Sequence, residues 1–560
     1  MSLLSRILAH SAALPKAHTH ELGVERDLAV PMPDGTRLLA DRHFPRNESS
    51  GLPLVLMRTP YGRRSFDAFA EIFAERGYQV IVQSSRGTFG SGGEFRAFLD
   101  DERDGRATLE WIATQDWFGG KVAMFGPSYL GYAQWAVAAN APGFLKALGI
   151  QIATSNRRES IYPGESFALD FTLSWIRVLA GEGQPVWRTL WARMRDRKEL
   201  APSFLHLPLS EADALRGERR FGFYQDWLTH TEPDDPYWRA SDFSHRMSEV
   251  TAHVNLVGGW YDLYIERVLA DFRSLRAEGK APRIIIGPWM HTDSGSLFTG
   301  LRESLAWFDR HLRNTTSSAE VSTNANTEAL PVRLFELGSK QWFELEDWPP
   351  RAQPTRWYLH PGRALASSPA VTSVPDEYDY DPAHPTPSLG GAVLGRHGGA
   401  RDNRSQESRA DVLVYTSQPL DFDLHVAGTV SVNLFVRSSL EHTDFFARLC
   451  DVDAKGRSVN LCDGIVRLKP GRFQRAADGT MQLQIGLSPT ACCFLKGHRI
   501  RLQISSGAHP RFSRNPGSGE PLGSATVLRS AHQEVFHDPE HPSWFELPVW
   551  DGPSAVSNSR

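Results

Sequence analysis

At 560 residues the chain exceeds what one hydrophobic core organises, so two or three domains are expected, and its 41% hydrophobic content is ordinary for a globular protein. A formal net charge of −4 supplies no broad basic field for nucleic acid or an anionic membrane surface, which points to a small-molecule substrate, most simply a neutral one.

The opening stretch, "MSLLSRILAHSAALPKAHTH", interrupts its apolar residues with charges and histidines, and no later run has the length of a membrane span. A cytoplasmic protein is expected. From residue 24 to about 310, short apolar runs alternate with helical patterns. "DLAVPMPDGTRLLADRHF" reads as a hairpin around Pro-Asp-Gly, and "LPLVLMR", "YQVIVQS", "KVAMFG" and "LKALGIQIA" read as strands. Between them, "SFDAFAEIFAERG", "DERDGRATLEWIATQ" and the run after Ser128 space their apolar residues three or four apart, as crossover helices do.

This alternation stops between residues 155 and 245, where "SFALDFTLSWIRVLAGEG" and "PVWRTLWARMRDRKEL" look helical and tryptophans accumulate, Trp175 among them. The segment reads as an insertion. Strands resume with "HVNLVGG" and "RIIIGP", and "LRESLAWFDRHLRN" reads as a closing helix. Polar residues 314–331 offer almost nothing to bury and read as a linker. Beyond them the period is two: Val430, Val432, Leu434 and Val436 alternate with polar residues, broken by Phe435, and Ile500, Leu502 and Ile504 do the same. The predicted units are residues 24–154 and 246–313 as a split α/β core, 155–245 as the insertion, and 332–560 as an all-β jelly roll or similar sandwich.

In "VAMFGPSYLGYAQW" an apolar run meets a helical one with Ser128 at the junction. A serine hydroxyl attacks a carbonyl only when a base removes its proton and the backbone holds it clear, and a tight strand-to-helix turn does the latter. The N–H of Tyr129 at the helix start can then face a developing oxyanion. The usual pattern is GxSxG; here Leu130 holds the second small position and glycine follows at Gly131. The alternative is a plain helix N-cap serine. Asp262 follows strand "HVNLVGG" and also has an N-cap alternative, while His291 follows strand "RIIIGP". All three fall at carboxyl ends of strands, where open α/β sheets gather their chemistry, and Ser, Asp, His is the α/β-hydrolase order. Tyr61, just past the third strand, is either a packed aromatic or a second oxyanion donor.

With "VPMPDGTRLLAD", "RTPYG", "SRGTFGSGGEF", "GGWYD", "GPWMH", "WFDRHLR", "LCDGIVRL" and "GHRIRLQISS" in the same order, the chain resembles the cocaine-esterase-like CocE/NonD serine hydrolases, which are related to X-prolyl dipeptidyl peptidases. The resemblance implies an α/β fold class: an α/β-hydrolase core with an inserted helical cap and a C-terminal jelly roll. It implies Ser128 as nucleophile, Asp262 as orienting acid and His291 as base, with an oxyanion hole from the Tyr61 hydroxyl and the Tyr129 N–H. It favours Trp175 in an acyl pocket; Tyr264 is a further candidate from its place beside Asp262, and core packing is the alternative for both. Relatives often carry an aspartate two places before the arginine of "SSRG"; here that place is Ser84, which leaves Arg86 without that partner. Relatives that hydrolyse α-amino-acid esters have a Glu-Asp pair after the triad aspartate, and "DLYIE" lacks it, so an uncharged acyl group is expected.

No cofactor or metal is expected: Cys450, Cys462, Cys492 and Cys493 fit no zinc spacing and read as free thiols. Ester hydrolysis through an acyl-serine is the favoured activity. An X-Pro dipeptidyl peptidase, an amidase or an acyltransferase would use the same triad, and an inactive carbohydrate-binding protein is a reading of another class. The partner is then a small ester or amide, and the assembly state is left between monomer and homodimer.

Overall fold

The Pro-Asp-Gly hairpin forms as β1 (Leu22–Pro31) and β2 (Arg37–Pro45), which pair antiparallel. A computed structural model of the chain describes residues 2–181, 199–215, 220–313, 330–395 and 397–552. The remaining core strands are β3 (Leu54–Thr59), β4 (Gln79–Ser84), β5 (Val122–Pro127), β6 (Leu145–Gln151), β7 (His253–Tyr261), β8 (Arg283–Met290), β9 (Val332–Glu336) and β10 (Gln341–Leu345). They form one sheet ordered β1-β2-β4-β3-β5-β6-β7-β8-β9-β10. Pairing is parallel from β4 across to β9 and antiparallel at both ends.

Helices cover both faces, so the central strands read as continuous apolar runs. Helices α1 (Leu3–Ser11), α2 (Asp67–Ala74) and α9 (Ser294–Leu312) pack with Val55, Met57, Val80 and Val82. Helices α3 (Asp101–Ala113), α4 (Tyr129–Ala138) and α8 (Ile265–Ala277) pack with Leu54, Leu56, Ile81 and Met124. Successive residues of β3 thus feed opposite cores, as strand geometry demands.

The sheet runs further than the sequence reading of 332–560 as a β domain allowed. Val332, Arg333 and Leu334 pair in parallel with Ile284, Ile285 and Ile286, which makes β9 and β10 part of the α/β core. A short strand of period two advertises which face it buries but not which neighbour it joins.

Inserted between β6 and β7 are α5 (Arg157–Ile161), α6 (Leu169–Ala180) and α7 (Gly222–Thr229) with several 3₁₀ turns. Most of "PVWRTLWARMRDRKEL" and residues 314–329 of the linker lie outside the described residues. The C-terminal domain is all-β from Gln353–His360 to Trp544–Val549; its longest ladder joins Thr443–Val452 to Ser458–Leu468, with Arg499–Ser505 on the other side. Val432, Leu434 and Val436 are fully buried, while Phe435 lies on the half-exposed face beside His541 and Trp544. This domain also grips the insertion through backbone bonds from Asp170 to Pro510 and from Ser513 to Phe167. The four cysteines are buried free thiols, and among the described residues no helix is long and apolar enough to cross a membrane.

Candidate active site

The turn after β5 is held open by two glycines. A Cβ on Gly126, whose φ is +145°, would lie 2.5 Å from the Leu130 side chain, and one on Gly131 would lie 2.5 Å from Cβ of Ala153. The helix therefore packs tightly at position 131 against the segment just after β6, and Leu130 turns into the opposite core, which accounts for the displaced glycine of the motif. At the apex Ser128 has φ 57° and ψ −118°, a strained conformation for a residue with a side chain. Its hydroxyl makes no capping bond to α4. That removes the ordinary N-cap reading.

Ser128 Oγ lies instead 3.0 Å from His291 Nε2, and His291 Nδ1 lies 2.6 Å from Asp262 Oδ2. Asp262 is wholly buried, and its other oxygen, Oδ1, accepts the Tyr264 N–H at 2.9 Å. A carboxylate fixed at both oxygens favours the tautomer protonated at Nδ1, in which Nε2 is free to accept a proton. Three groups far apart in sequence thus form a continuous chain of contacts at hydrogen-bond distance. As the first residue of α4, Tyr129 has no intrahelical carbonyl for its N–H, which lies beside the serine. Its phenol donates to buried Asp101 at 2.6 Å and pins the helix start; burial raises the Asp101 carboxyl above its usual range.

Tyr61 follows β3, its N–H bonded to Thr59 Oγ1 at 3.1 Å and its ring set edge-on to Tyr129 at 6.4 Å. The Trp175 indole N–H donates to the Tyr61 phenol oxygen at 2.9 Å. Trp175 also stacks near Phe171 and Trp227, so the cap presents an aromatic wall. Tyr264 meets His291 edge-on at 5.4 Å between ring centres, and burial raises its phenol above the ordinary value. Ser128, Asp262, His291, Tyr61, Tyr129, Trp175 and Tyr264 are therefore brought to one locality.

Two features were not legible beforehand. Arg86 does not need a partner at Ser84: Asp104 of α3 takes its Nε at 2.8 Å and Nη2 at 2.7 Å, with Asp34 and Thr36 adding to the cluster. The acidic start of "DERDGRATLEWIATQ" was the available signal. The second is Arg157, whose Nη1 donates to the Tyr264 phenol at 3.1 Å. In sequence it is one of two adjacent arginines with nothing to mark it. Away from this site, His425 Nδ1 pairs with Glu336 at 2.8 Å and Cys493 Sγ lies 4.0 Å from its Nε2. Burial and nearby carboxylates push the Cys493 thiol up to about 12, so it holds its proton at neutral pH.

Comparison with known proteins places the family and the fold. Residues 34–293 match the X-Pro dipeptidyl-peptidase (S15) family, and residues 324–545 match the X-Pro dipeptidyl-peptidase C-terminal non-catalytic domain. The chain is 33% identical to the cocaine esterase of Rhodococcus sp. (strain MB1 Bresler), over 94% of this chain and 98% of that protein. An aminopeptidase from a marine sediment archaeon, Thaumarchaeota archaeon, shares the fold with a TM-score of 0.78 at 22% identity, covering 96% of this chain and 97% of the other. A CocE/NonD family hydrolase from Staphylococcus aureus does so at 0.69 and 16% identity, with 94% of each chain covered.

Proposed function

The chain belongs to the CocE/NonD family of serine hydrolases, and from that premise we propose that it hydrolyses carboxylic acyl esters through an acyl-serine formed on Ser128. The observation that carries this reading is the unbroken path from Ser128 through His291 to Asp262, at 3.0 and 2.6 Å.

Ser128 Oγ attacks the ester carbonyl while His291 Nε2 takes its proton, and Asp262 stabilises the imidazolium that results. Negative charge gathers on the carbonyl oxygen, where the Tyr129 N–H and the Tyr61 hydroxyl donate to it. Such a donor is typically worth about 3 kcal/mol in the transition state. His291 returns the proton to the departing alkoxide, leaving the acyl group on Ser128. Water then repeats the sequence and releases the acid. Trp175 and Tyr264 form walls of the acyl pocket.

Fluorophosphonate labelling of the native protein beside Ser128→Ala tests the assignment. Labelling of the native protein alone is expected. Equal labelling of both, or of neither, would overturn it.

A second reading, cleavage of X-Pro amides, is favoured by the descriptions of both matched families. Acyl-serine chemistry serves both, so the discriminating measurement is kcat/KM across short acyl esters and X-Pro amides. The ester reading expects every amide to be the poorer substrate.

A further inference from the structure

Arg157 opens α5 with its side chain buried and only 1% of the residue exposed. Its guanidinium carbon lies 4.2 Å from the ring centre of Phe98, 4.7 Å from Phe171 and 5.1 Å from Trp227. On one side Nη1 reaches Tyr264, whose ring lies against His291 and whose N–H holds Asp262. On the other side stands Trp175, 5.8 Å away, which donates to Tyr61. The cation thus lies behind the acyl pocket, one residue removed from the base and from the oxyanion phenol.

Its other edge is unused. Nε and Nη2 have no hydrogen-bond partner, and no carboxylate pairs with this guanidinium among the described residues. These two nitrogens form the edge that takes a carboxylate side-on through two parallel bonds. Other buried arginines of this chain use it in that way: Arg467 on Asp444 at 2.9 and 2.8 Å, and Arg86 on Asp104. Ring faces stabilise the charge of Arg157 but accept neither N–H in the plane of the group. A buried cation with both donors unmet lacks a counter-anion.

We propose that the missing anion belongs to the substrate: Arg157 receives a carboxylate at the far end of the acyl group, and the preferred substrates are half-esters of dicarboxylic acids. This rests on ester hydrolysis at Ser128. The absence of a Glu-Asp pair after Asp262 argues against an ammonium-bearing acyl group, and the unmet guanidinium replaces the uncharged group expected from the sequence with an anionic one. Because Arg157 is buried among these rings, the entering acyl chain turns Phe171 or Trp227 aside and exchanges ring contact for two charge-assisted hydrogen bonds.

The test compares para-nitrophenyl half-esters of dicarboxylic acids of about four to eight carbons with monocarboxylic esters of equal carbon count. For at least one length the native protein is expected to favour the half-ester in kcat/KM by about tenfold or more, and Arg157→Gln to cut that preference by about tenfold or more. Native preference for the uncharged ester at every length overturns the proposal, as does an unchanged preference in the variant. Fluorophosphonate labelling of both proteins runs in parallel. A native protein that labels at Ser128 but cleaves neither ester series defeats the ester reading and this proposal with it; one that cleaves only uncharged esters defeats this proposal alone. If Arg157→Gln does not label, inhibition of the native protein decides: dicarboxylates are expected to bind at least about tenfold tighter than monocarboxylates of equal length, and equal inhibition rejects the anion site.

Discussion

The indole N–H of Trp175 donates to the phenol oxygen of Tyr61 across 2.9 Å, so a residue of the inserted cap orients a side chain of the α/β core. With Tyr61 proposed as an oxyanion donor, cap and core act together in the transition state. Tyr61→Phe should lower kcat by about a hundred- to a thousandfold, with KM nearly constant. Trp175→Phe keeps a ring but loses the N–H, and about a tenfold fall in kcat is expected. The double variant should cost little more than Tyr61→Phe alone, because the two act as a unit. Steady-state kinetics on one short ester checks all three, and a loss confined to KM would contradict the shared role.

Asp262 makes two bonds with separable consequences. Asp262→Asn retains an oxygen for the Tyr264 N–H but offers His291 an amide, which favours the wrong imidazole tautomer. The expected result is a fall in kcat of about ten-thousandfold with a thermal midpoint close to native. Retention of even a tenth of the native rate would show that Asp262 is not the orienting acid.

The elbow has no room at position 131, where an added methyl would sit 2.5 Å from Cβ of Ala153. Gly131→Ala should destabilise the protein by about 1–3 kcal/mol through overpacking and reduce kcat by tilting Ser128. Urea denaturation and kinetics on the same preparation read both. Native stability in this variant would mean that the contact between α4 and Ala153 is looser than described.

Acid sensitivity is expected from a histidine pair remote from the proposed chemistry. His311 stacks on His253 at 3.9 Å, and burial, reinforced by His253 and Arg310, lowers the His311 pKa to about 4. Its ordinary value is about 6.5, so between these values the unfolded chain binds the extra proton. The associated stability is present above about pH 6.5 and is lost as the pH falls toward 4. His311→Phe keeps a stacking ring and should lose less thermal stability than the native protein between the two ends of that range. Parallel melting shifts in both proteins would refute the assignment.

Much of the architecture was legible because periodicity is a local property. Residues such as Val55 and Met57 on one face and Leu54 and Leu56 on the other needed only their own strand to be recognised, and punctuation at Pro-Asp-Gly and at Gly126 located the turns. Placing Ser128, Asp262 and His291 at strand ends followed from the same local signals. The membership of β9 in the core sheet was not legible, because Val332 and Leu334 would alternate identically against any neighbour.

What the sequence determined by itself was the set of strands and helices and the chemical kinds of residue standing at their ends, since backbone preference and apolar spacing act within a few residues. Tertiary structure alone decided who meets whom: that Asp104 neutralises Arg86, that Trp175 reaches Tyr61, and that Arg157 stacks among aromatic rings with one edge unpaired. Hydrogen bonds and ion pairs act over a few ångströms in space, and separation along the chain carries almost no information about that distance until the sheet and its insertions have closed.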